Sequence, residues 1–363
     1  MSFLQSHMLA GSEKPLIIHW NNGLCAGGTE GMQVIFHQQW KTIDDTFRHM
    51  VAYRKQSDNV REQQFIDLLG RENLICVDDD DHFVRECERL KPFIVHRYAA
   101  GIPEFPLVPS VSRHTQHLIS TAVFGNQDDT IDIDAVIYVS KHIQHLVQTA
   151  GIPNHFVVRN PVQDKLSNEN LREELGIHEN DFVFGRIGRS DDDIYDPINL
   201  EAYATIQGPK LYMEGEGIHF VAVSPSDRLL ADAKNMGLRN FHVIEKTTDM
   251  VRLSKFYNTI DVMAHARADG ECNPAVMFEA FAHGVPVISH YGFPFNGHIE
   301  CMGDAGFAVQ QNDSEEYARI MKSFVDKTID IDYISKRARE RYDEMAEPFA
   351  RANEQMKIYK GLL

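Results

Sequence analysis

Two carboxylates, Glu271 and Glu279, sit in a segment whose local physics reads directly: Asp269-Gly-Glu-Cys-Asn-Pro-Ala-Val-Met-Phe-Glu279, followed by Ala280-Phe-Ala-His-Gly284 and the apolar run Val285-Pro-Val-Ile-Ser289. Asn273 is a favoured N-cap and Pro274 suits a first helical position, while Gly284 suits a stop. The spacing predicts a helix from Pro274 to His283. Glu271 then lies in the loop before a positive helix end, and Glu279 lies further along the helix. Such an end attracts phosphate, and the two carboxylates can accept hydrogen bonds from hydroxyl groups. Phosphate plus polyol is the chemistry of a nucleotide sugar. A structural account competes with it, in which Glu271 only complements the helix dipole and Glu279 is solvated.

A second signal is the loop Asn21 to Gly31, NNGLCAGGTEG, whose Gly27 and Gly28 would let a ligand approach backbone N–H groups where a helix opens. A tight turn needing positive φ is the competing explanation. The spacing is not the GxGxxG of a dinucleotide site, and the next strand ends in Tyr53-Arg54 where that fingerprint needs an acid. Other clusters are weaker. Asp78 to Asp81 reads as a solvated loop, although four carboxylates could hold a divalent cation. His142 with His145, and His114 with His117, share an i,i+3 spacing but lack a third ligand and read as surface residues. The 18 histidines are numerous, and the sequence offers no physical account of them.

The elements that must position these residues alternate. PLIIHW, HMVAYR, NLICV and FIVHR are strand-like runs separated by helix-like stretches, and the rhythm returns with DFVFGRIG, GIHFVAV, FHVIEK, DVMAHA and GVPVIS. This βαβ pattern predicts an α/β protein with two open parallel sheets. The polar stretch from Asp164 to Asn180 separates the halves, giving expected domains of 1–163 and 164–340. The charged helical tail, expected as 341–363 and interrupted near Pro348, is a candidate to cross back to the first domain.

At 363 residues, with 43% apolar and 25% charged residues, the chain is long enough for two globular domains. A net charge of −17 argues against a nucleic-acid partner. No apolar stretch is long enough to span a membrane, and MSFLQSHMLAGSEK lacks the basic start and apolar run of a signal peptide. Five scattered cysteines without a CxxC spacing fit reduced thiols, so a cytoplasmic location is expected.

The two-glutamate segment with EAFAHGVPVIS resembles the motif of the retaining GT-B glycosyltransferases of family 4, the glycosyl transferases group 1. Three further pieces are similar in order and distance: Gly27-Gly28-Thr29-Glu30, Asp134 to Ser140 with Val157 to Val162, and Phe184-Gly-Arg-Ile-Gly-Arg189. The resemblance implies a GT-B fold, with two Rossmann-like domains facing across a cleft, the acceptor held by the first and the nucleotide-sugar donor by the second. It implies a hexosyl- or pentosyltransferase that moves sugar to a hydroxyl of a glycan, glycoprotein or small molecule with retention at the anomeric carbon. Glu279 would hold the ribose and Glu271 the transferred sugar. Asn273, Ala275 and Val276 would complete the donor contacts at the helix end. In the family a histidine after an N-domain strand contacts the donor sugar, and His114 in Ser112-Arg-His-Thr115 is the best match.

Two departures stand out. The family follows its GR loop with a lysine that grips the diphosphate, whereas here Arg189 is followed by Ser190-Asp-Asp-Asp-Ile194-Tyr195. Arg186 or Arg189 would have to supply that charge, because a guanidinium holds phosphate oxygens bidentately. Pro274 stands where the family commonly has glycine, removing one N–H. Asp132-Ile-Asp134 imitates the metal-binding DxD of the other glycosyltransferase fold, yet it leads into a strand of the GT-B-like segment. No metal or other cofactor is therefore expected. A non-catalytic nucleotide- or sugar-binding protein and a sugar-nucleotide epimerase on the same architecture remain the alternatives.

Overall fold

Leu16–Asn21 (β1) is buried at all six positions, as a strand covered on both faces by helices must be. It leads through the glycine loop into Gly28–Ile43 (α1), then Arg48–Arg54 (β2), Asn59–Leu69 (α2), Leu74–Val77 (β3), Asp80–Leu90 (α3) and Ile94–Ala99 (β4). Leu107–Ser112 (α4), His117–Ala122 (β5), Ala135–Tyr138 (β6), Lys141–Leu146 (α5) and Asn154–Val157 (β7) follow. All seven strands pair in parallel in the order β3-β2-β1-β4-β5-β6-β7. The structure, a computed structural model, describes residues 14–25, 27–54, 59–99, 107–124, 132–147, 151–207 and 217–363.

The second series runs Arg172–Leu175 (α6), Phe182–Ile187 (β8), Ile198–Ile206 (α7), Ile218–Val223 (β9), Asp227–Asn235 (α8), Phe241–Ile244 (β10), Met250–Thr259 (α9) and Val262–Ala264 (β11). It continues through Gly270–Glu271 (β12), Ala275–Ala282 (α10), Val287–His290 (β13), Phe295–Asn296 (β14), Gly297–Met302 (α11), Gly306–Val309 (β15), Ser314–Val325 (α12) and Ile331–Met345 (α13). Its six-stranded sheet is again parallel, in the order β10-β9-β8-β11-β13-β15, and β12 pairs with β14 beside it. Pro348 ends α13 and starts Pro348–Lys360 (α14), the position where proline's missing N–H costs least.

Two compact units result, one of residues 1–139, 144–158 and 352–363, the other of 140–143 and 159–351. In the first, Trp40 and Phe36 of α1 pack with Ile17, Ile94, Ile119 and Ile137 of the sheet and with Met356 and Tyr359 of α14. Trp40 also donates Nε1–H to the Ala352 carbonyl at 3.1 Å. Each such side chain contributes about 1.5–3 kcal/mol by leaving water. In the second unit, Tyr257, Met277, Phe278, Phe281 and Tyr342 belong to one cluster, and Leu200, Tyr203, Phe220, Tyr317 and Phe324 to another. Aspartates cap the helices: Asp79, Asp249, Asp313 and Asp330 each accept from a backbone N–H of the first turn.

The first unit's core also holds polar rings. His96 is fully buried between the hydroxyls of Thr121 (2.7 Å) and Tyr359 (2.6 Å), and burial pushes its imidazole down to about 3. The folded protein keeps it neutral where the unfolded chain protonates near pH 6.5. This contribution is complete above pH 6.5 and is lost as the pH falls toward 3. His96→Gln retains two hydrogen-bonding ends but no titratable ring. Its urea unfolding free energy should therefore fall less steeply than the parent's between pH 6.5 and 5, by about 1.4 kcal/mol per pH unit; equal slopes would refute the assignment.

Candidate functional site

In the second sheet the connections leave β8 and β11 in opposite directions, which opens a crevice at their carboxyl ends, where open α/β sheets take ligands. Three stretches emerge there: 188–195 after β8, 265–274 after β11 and 291–298 after β13. Backbone bonds fasten them together. Ala268 N–H donates to Ile194 O at 3.1 Å, and Phe295 N–H donates to Asp269 O at 3.1 Å. Arg267 N–H donates to His290 Nε2 at 3.2 Å. Gly270 has φ +71°, and a Cβ there would lie 1.8 Å from the Phe295 carbonyl oxygen, so only glycine lets β12 approach β14.

Glu271 lies in this seam at the end of β12. Its Oε1 accepts from Arg267 Nη1 at 3.2 Å, while Arg267 also grips Asp269 through Nε (2.5 Å) and Nη2 (3.0 Å). His265 Nε2 is 3.9 Å from the same oxygen, near enough for charge but too far for a hydrogen bond. His298 accepts from Glu271 N–H at 3.2 Å and donates Nε2–H to the His290 carbonyl at 2.8 Å, which fixes its tautomer. Burial works against ionising Glu271, but His265 and Arg267 outweigh it and hold the carboxyl below its usual range.

Glu279 has the opposite environment. It sits midway along α10, half-buried, and its one hydrogen-bond donor among the described residues is the Tyr257 hydroxyl, at 2.6 Å. Burial raises its carboxyl above the usual range, opposed in part by Tyr257. The helix ends as its sequence predicts: Gly284 adopts φ +69°, its N–H bonds Phe281 O, and Val285 N–H bonds Ala280 O. Its start differs. The helix begins at Ala275, Pro274 occupies the N-cap with ψ 99°, and no side chain caps it. Asn273 is not the cap, because proline's extended ψ turns the chain one residue later. Asn273 is instead buried, its Oδ1 facing Cys301 Sγ at 3.7 Å and its Nδ2 without a hydrogen-bond partner among the described residues. Ala275 and Val276 form the first turn, with Val276 O facing the Tyr257 hydroxyl at 3.2 Å.

The two arginines of the β8 loop differ. Arg186 is buried at 7% exposure, its guanidinium 5.3 Å from the Tyr195 ring centre and 3.3 Å from Ala266 O, and burial pushes it down to about 10. Arg189 is exposed and pairs with Asp191 at 3.3 Å. Of its acidic neighbours, Asp192 accepts from Arg228 N–H at the start of α8 (3.2 Å), and Asp192–Ile194 forms one 3-10 turn.

The other sequence candidates, His142 apart, belong to the first unit. His114 follows α4, not a strand, and lies just before β5, at the amino end of a strand whose carboxyl end would be the ligand side. Gly27 caps α1 with φ −89°, and Gly28 begins it; neither has the positive φ of a tight turn, and a Cβ at Gly28 would meet nothing within 4 Å. Asp79 caps α3 and Asp80 pairs with Arg54, so these carboxylates have structural partners. Asp134 accepts from Leu118 N–H at 2.8 Å, and Asp132 accepts from Ser112 Oγ at 3.3 Å. His142 accepts from Asn296 N–H at 3.0 Å, a structural bond that a surface histidine would lack. Sequence reading missed Arg267, His265, His298 and Tyr257. The i,i+2,i+4 pattern Arg267, Asp269, Glu271 was a usable signal for the first.

The fold is that of the GT-B glycosyltransferases. Residues 167–341, which include Arg186, Glu271 and Glu279, match the family model described as glycosyl transferases group 1. The chain is similar to a glycosyltransferase structure from Rickettsia africae, at 15% identity over 97% of this chain and 99% of that one, with a TM-score of 0.75. It is also similar to HepE from Anabaena in complex with UDP and glucose (15% identity, 96% and 100% coverage, TM-score 0.74). The pneumococcal O-GlcNAc transferase GtfA in complex with UDP and GlcNAc is a third similar structure (11% identity, 97% and 99% coverage, TM-score 0.71). No curated protein matches the chain by sequence. Fold and family match together support a glycosyltransferase of the GT-B fold.

If Arg267 holds the seam, Arg267→Met leaves Asp269 and Glu271 without their guanidinium. Urea denaturation should show a loss of about 1.5–3 kcal/mol, the worth of hydrogen bonds to a charged group. Arg267→Lys should recover only part of it, since an ammonium cannot reproduce the fork. An unchanged midpoint in Arg267→Met would contradict this role.

Proposed function

We propose that the protein transfers a hexose or pentose from a nucleoside diphosphate sugar to a hydroxyl acceptor, with retention at the anomeric carbon. The observation that carries this reading is the oppositely tuned carboxylate pair at the switch point of the second sheet, inside the segment that matches the family model. Neighbours described with UDP and glucose or with UDP and GlcNAc support the donor class.

Glu279 accepts hydrogen bonds from the ribose hydroxyls, with Tyr257 orienting its carboxylate. Glu271, kept ionised by Arg267, faces the transferred sugar. Arg189 exchanges its exposed pair with Asp191 for the diphosphate, an exchange that costs about 0–1 kcal/mol, and Asn273 Nδ2 with the first turn of α10 adds donors. The acceptor oxygen forms its bond to the anomeric carbon as the carbon–phosphate oxygen bond breaks on the same face, and the acceptor proton passes to the departing diphosphate. Catalysis rests on positioning and on stabilising that leaving group, with no protein nucleophile and no divalent cation. The first unit takes the acceptor, and a cytoplasmic location fits the five free thiols. No helix among the described residues is long and apolar enough to cross a membrane. The absence of a lysine near Ile194 keeps one second reading in view, a protein that binds the nucleotide without turnover.

Calorimetry with UDP and other nucleoside diphosphates, and turnover across a panel of their sugars, test the roles. Glu279→Gln should weaken nucleotide binding by about 1.5–3 kcal/mol, a factor of roughly ten to a hundred. Glu271→Gln should keep that affinity and lose turnover. Arg189→Ala should lower kcat/KM on the order of 10²-fold. Unaltered nucleotide affinity in Glu279→Gln would overturn the ribose assignment, and tight binding with no turnover on any sugar would favour the non-catalytic reading.

Chelation gives a separate check. Initial transfer rates should be unchanged in a strong chelator, because the helix end and arginines stand where a GT-A enzyme uses a metal. Loss of transfer that manganese restores would return Asp132 and Asp134 to the site.

A further inference from the structure

The first unit gathers three histidines that the donor site does not use. His19 comes from β1, His37 from α1 and His49 from β2, and one ring nitrogen from each lies within 4.8 Å of the other two. His19 is fully buried and His37 is 3% exposed, while His49 is half-buried. His19 Nε2 and His49 Nδ1 are 3.0 Å apart. His37 Nε2 and His49 Nε2 are buried with no hydrogen-bond partner among the described residues. Trp40 stacks on His19 and His49, with ring centres 5.3 and 5.1 Å away, and His37 meets His19 edge-on at 4.6 Å.

We infer that these three imidazoles form a binding site for one divalent transition metal of the zinc class, a structural centre that ties β1, α1 and β2 together. The first argument is hydrogen-bond accounting. A ring nitrogen buried without a partner is destabilising, and His37 Nε2 is one that a metal between the three rings would engage. A packed aromatic core would serve as well with phenylalanine at these positions and carry no such cost. A cation that accepts that lone pair removes it. The second argument is geometry. Neighbouring nitrogens in a tetrahedral site with metal–nitrogen bonds of 2.0–2.1 Å are about 3.3 Å apart, close to the spacing of His19 and His49. His37 is the ligand that must swing inward to close the set. The third argument is chemical class. Neutral imidazoles without a carboxylate favour zinc, copper or nickel over magnesium or calcium.

An outer shell is also in place. Tyr98 Oη lies 3.3 Å from His19 Nδ1, so His19 can donate there and turn its Nε2 lone pair to the metal. Tyr98 is in turn held by Gln355 Nε2 (3.5 Å), which also donates to Tyr359 Oη at 2.7 Å. The last helix thus supports the ligand from behind. His49 is the second residue of β2, near the amino end of that parallel strand, away from the carboxyl ends where such sheets take substrates. This location fits a structural metal independent of sugar transfer, so the reading of the donor site and this one fail separately.

The test uses the full chain with any affinity tag removed, stripped by a strong chelator and titrated with Co(II). One equivalent should bind and give the intense visible bands of a tetrahedral site, and X-ray absorption of the zinc form should show an imidazole nitrogen shell. His37→Gln and His49→Gln should each weaken Co(II) binding at least about tenfold, whereas His155→Gln, a histidine of β7 outside the cluster, should not. Zinc should raise the melting temperature of the parent and leave the double variant unmoved. Nucleoside diphosphate binding should be the same with and without metal. If a variant does not fold, the spectra of the parent decide. A parent that binds no stoichiometric Co(II), or binding that survives in the folded double variant, overturns the inference.

Discussion

Arg267 holds Asp269 and Glu271 in a part of the chain with neither helix nor long strand to position them. The stretch from 265 to 274 must turn out of β11, cross the crevice and feed α10, and its two-residue strand β12 is too short to fix a side chain. Three charged hydrogen bonds from one guanidinium, together with the Gly270 approach to Phe295 O, supply that rigidity. Everything beside it inherits the position. His298 is set by Glu271 N–H and His290 O, and α10 starts where the seam ends. Replacing one member leaves a half-buried charge, so the group is best regarded as a unit.

The features legible in the sequence were those written in local physics. Alternating β-branched runs gave the strands β1 to β4, β8 to β11 and β13, and Gly284 marked the end of α10 because only its positive φ closes that helix end. The local course of the segment around Glu271 and Glu279, an irregular stretch leading into a helix, was readable for the same reason. The short strands β5, β7, β12, β14 and β15 were not, since two to six residues of mixed polarity carry little periodicity and pair only once their neighbours exist. Asn273 misled because a strong N-cap residue stood before a proline, and the proline itself took the cap. His114 was placed by a motif order that local structure does not follow: α4 intervenes. Arg267 was passed over because a basic residue among acids reads as solvated until the fold buries it.

The first unit shows a different kind of illegibility. His19, His37, His49 and His96 are dispersed over some eighty positions, and only the parallel order β2-β1-β4 with α1 laid across it brings them together. Burial lowers all four, His49 to about 4 and His96 to about 3, so their neutral forms belong to the fold itself. His96 is satisfied at both ring nitrogens, by Thr121 and Tyr359. The other three are not all satisfied. That contrast, within one core and one residue type, separates a histidine that completes a hydrogen-bond chain from a trio that leaves nitrogens over.

The β8 loop poses the sharpest electrostatic question, because three consecutive acids follow Arg189 where the proposed function needs positive charge. Their partners answer part of it. Asp192 is engaged with the start of α8, and Asp191 is exposed, so its field is screened by water. Arg186, by contrast, is buried without a carboxylate hydrogen bond among the described residues, and even pushed down to about 10 it stays charged at neutral pH. A buried guanidinium is screened less by water than exposed acids are, although the buried Asp196 carboxylate offsets part of its charge. Under the proposed function an anion would find its potential well beside Arg186, with Arg189 as the movable second cation. Under that reading Arg186, fixed in the strand, and Arg189 together would have to bring the charge that the absent lysine does not.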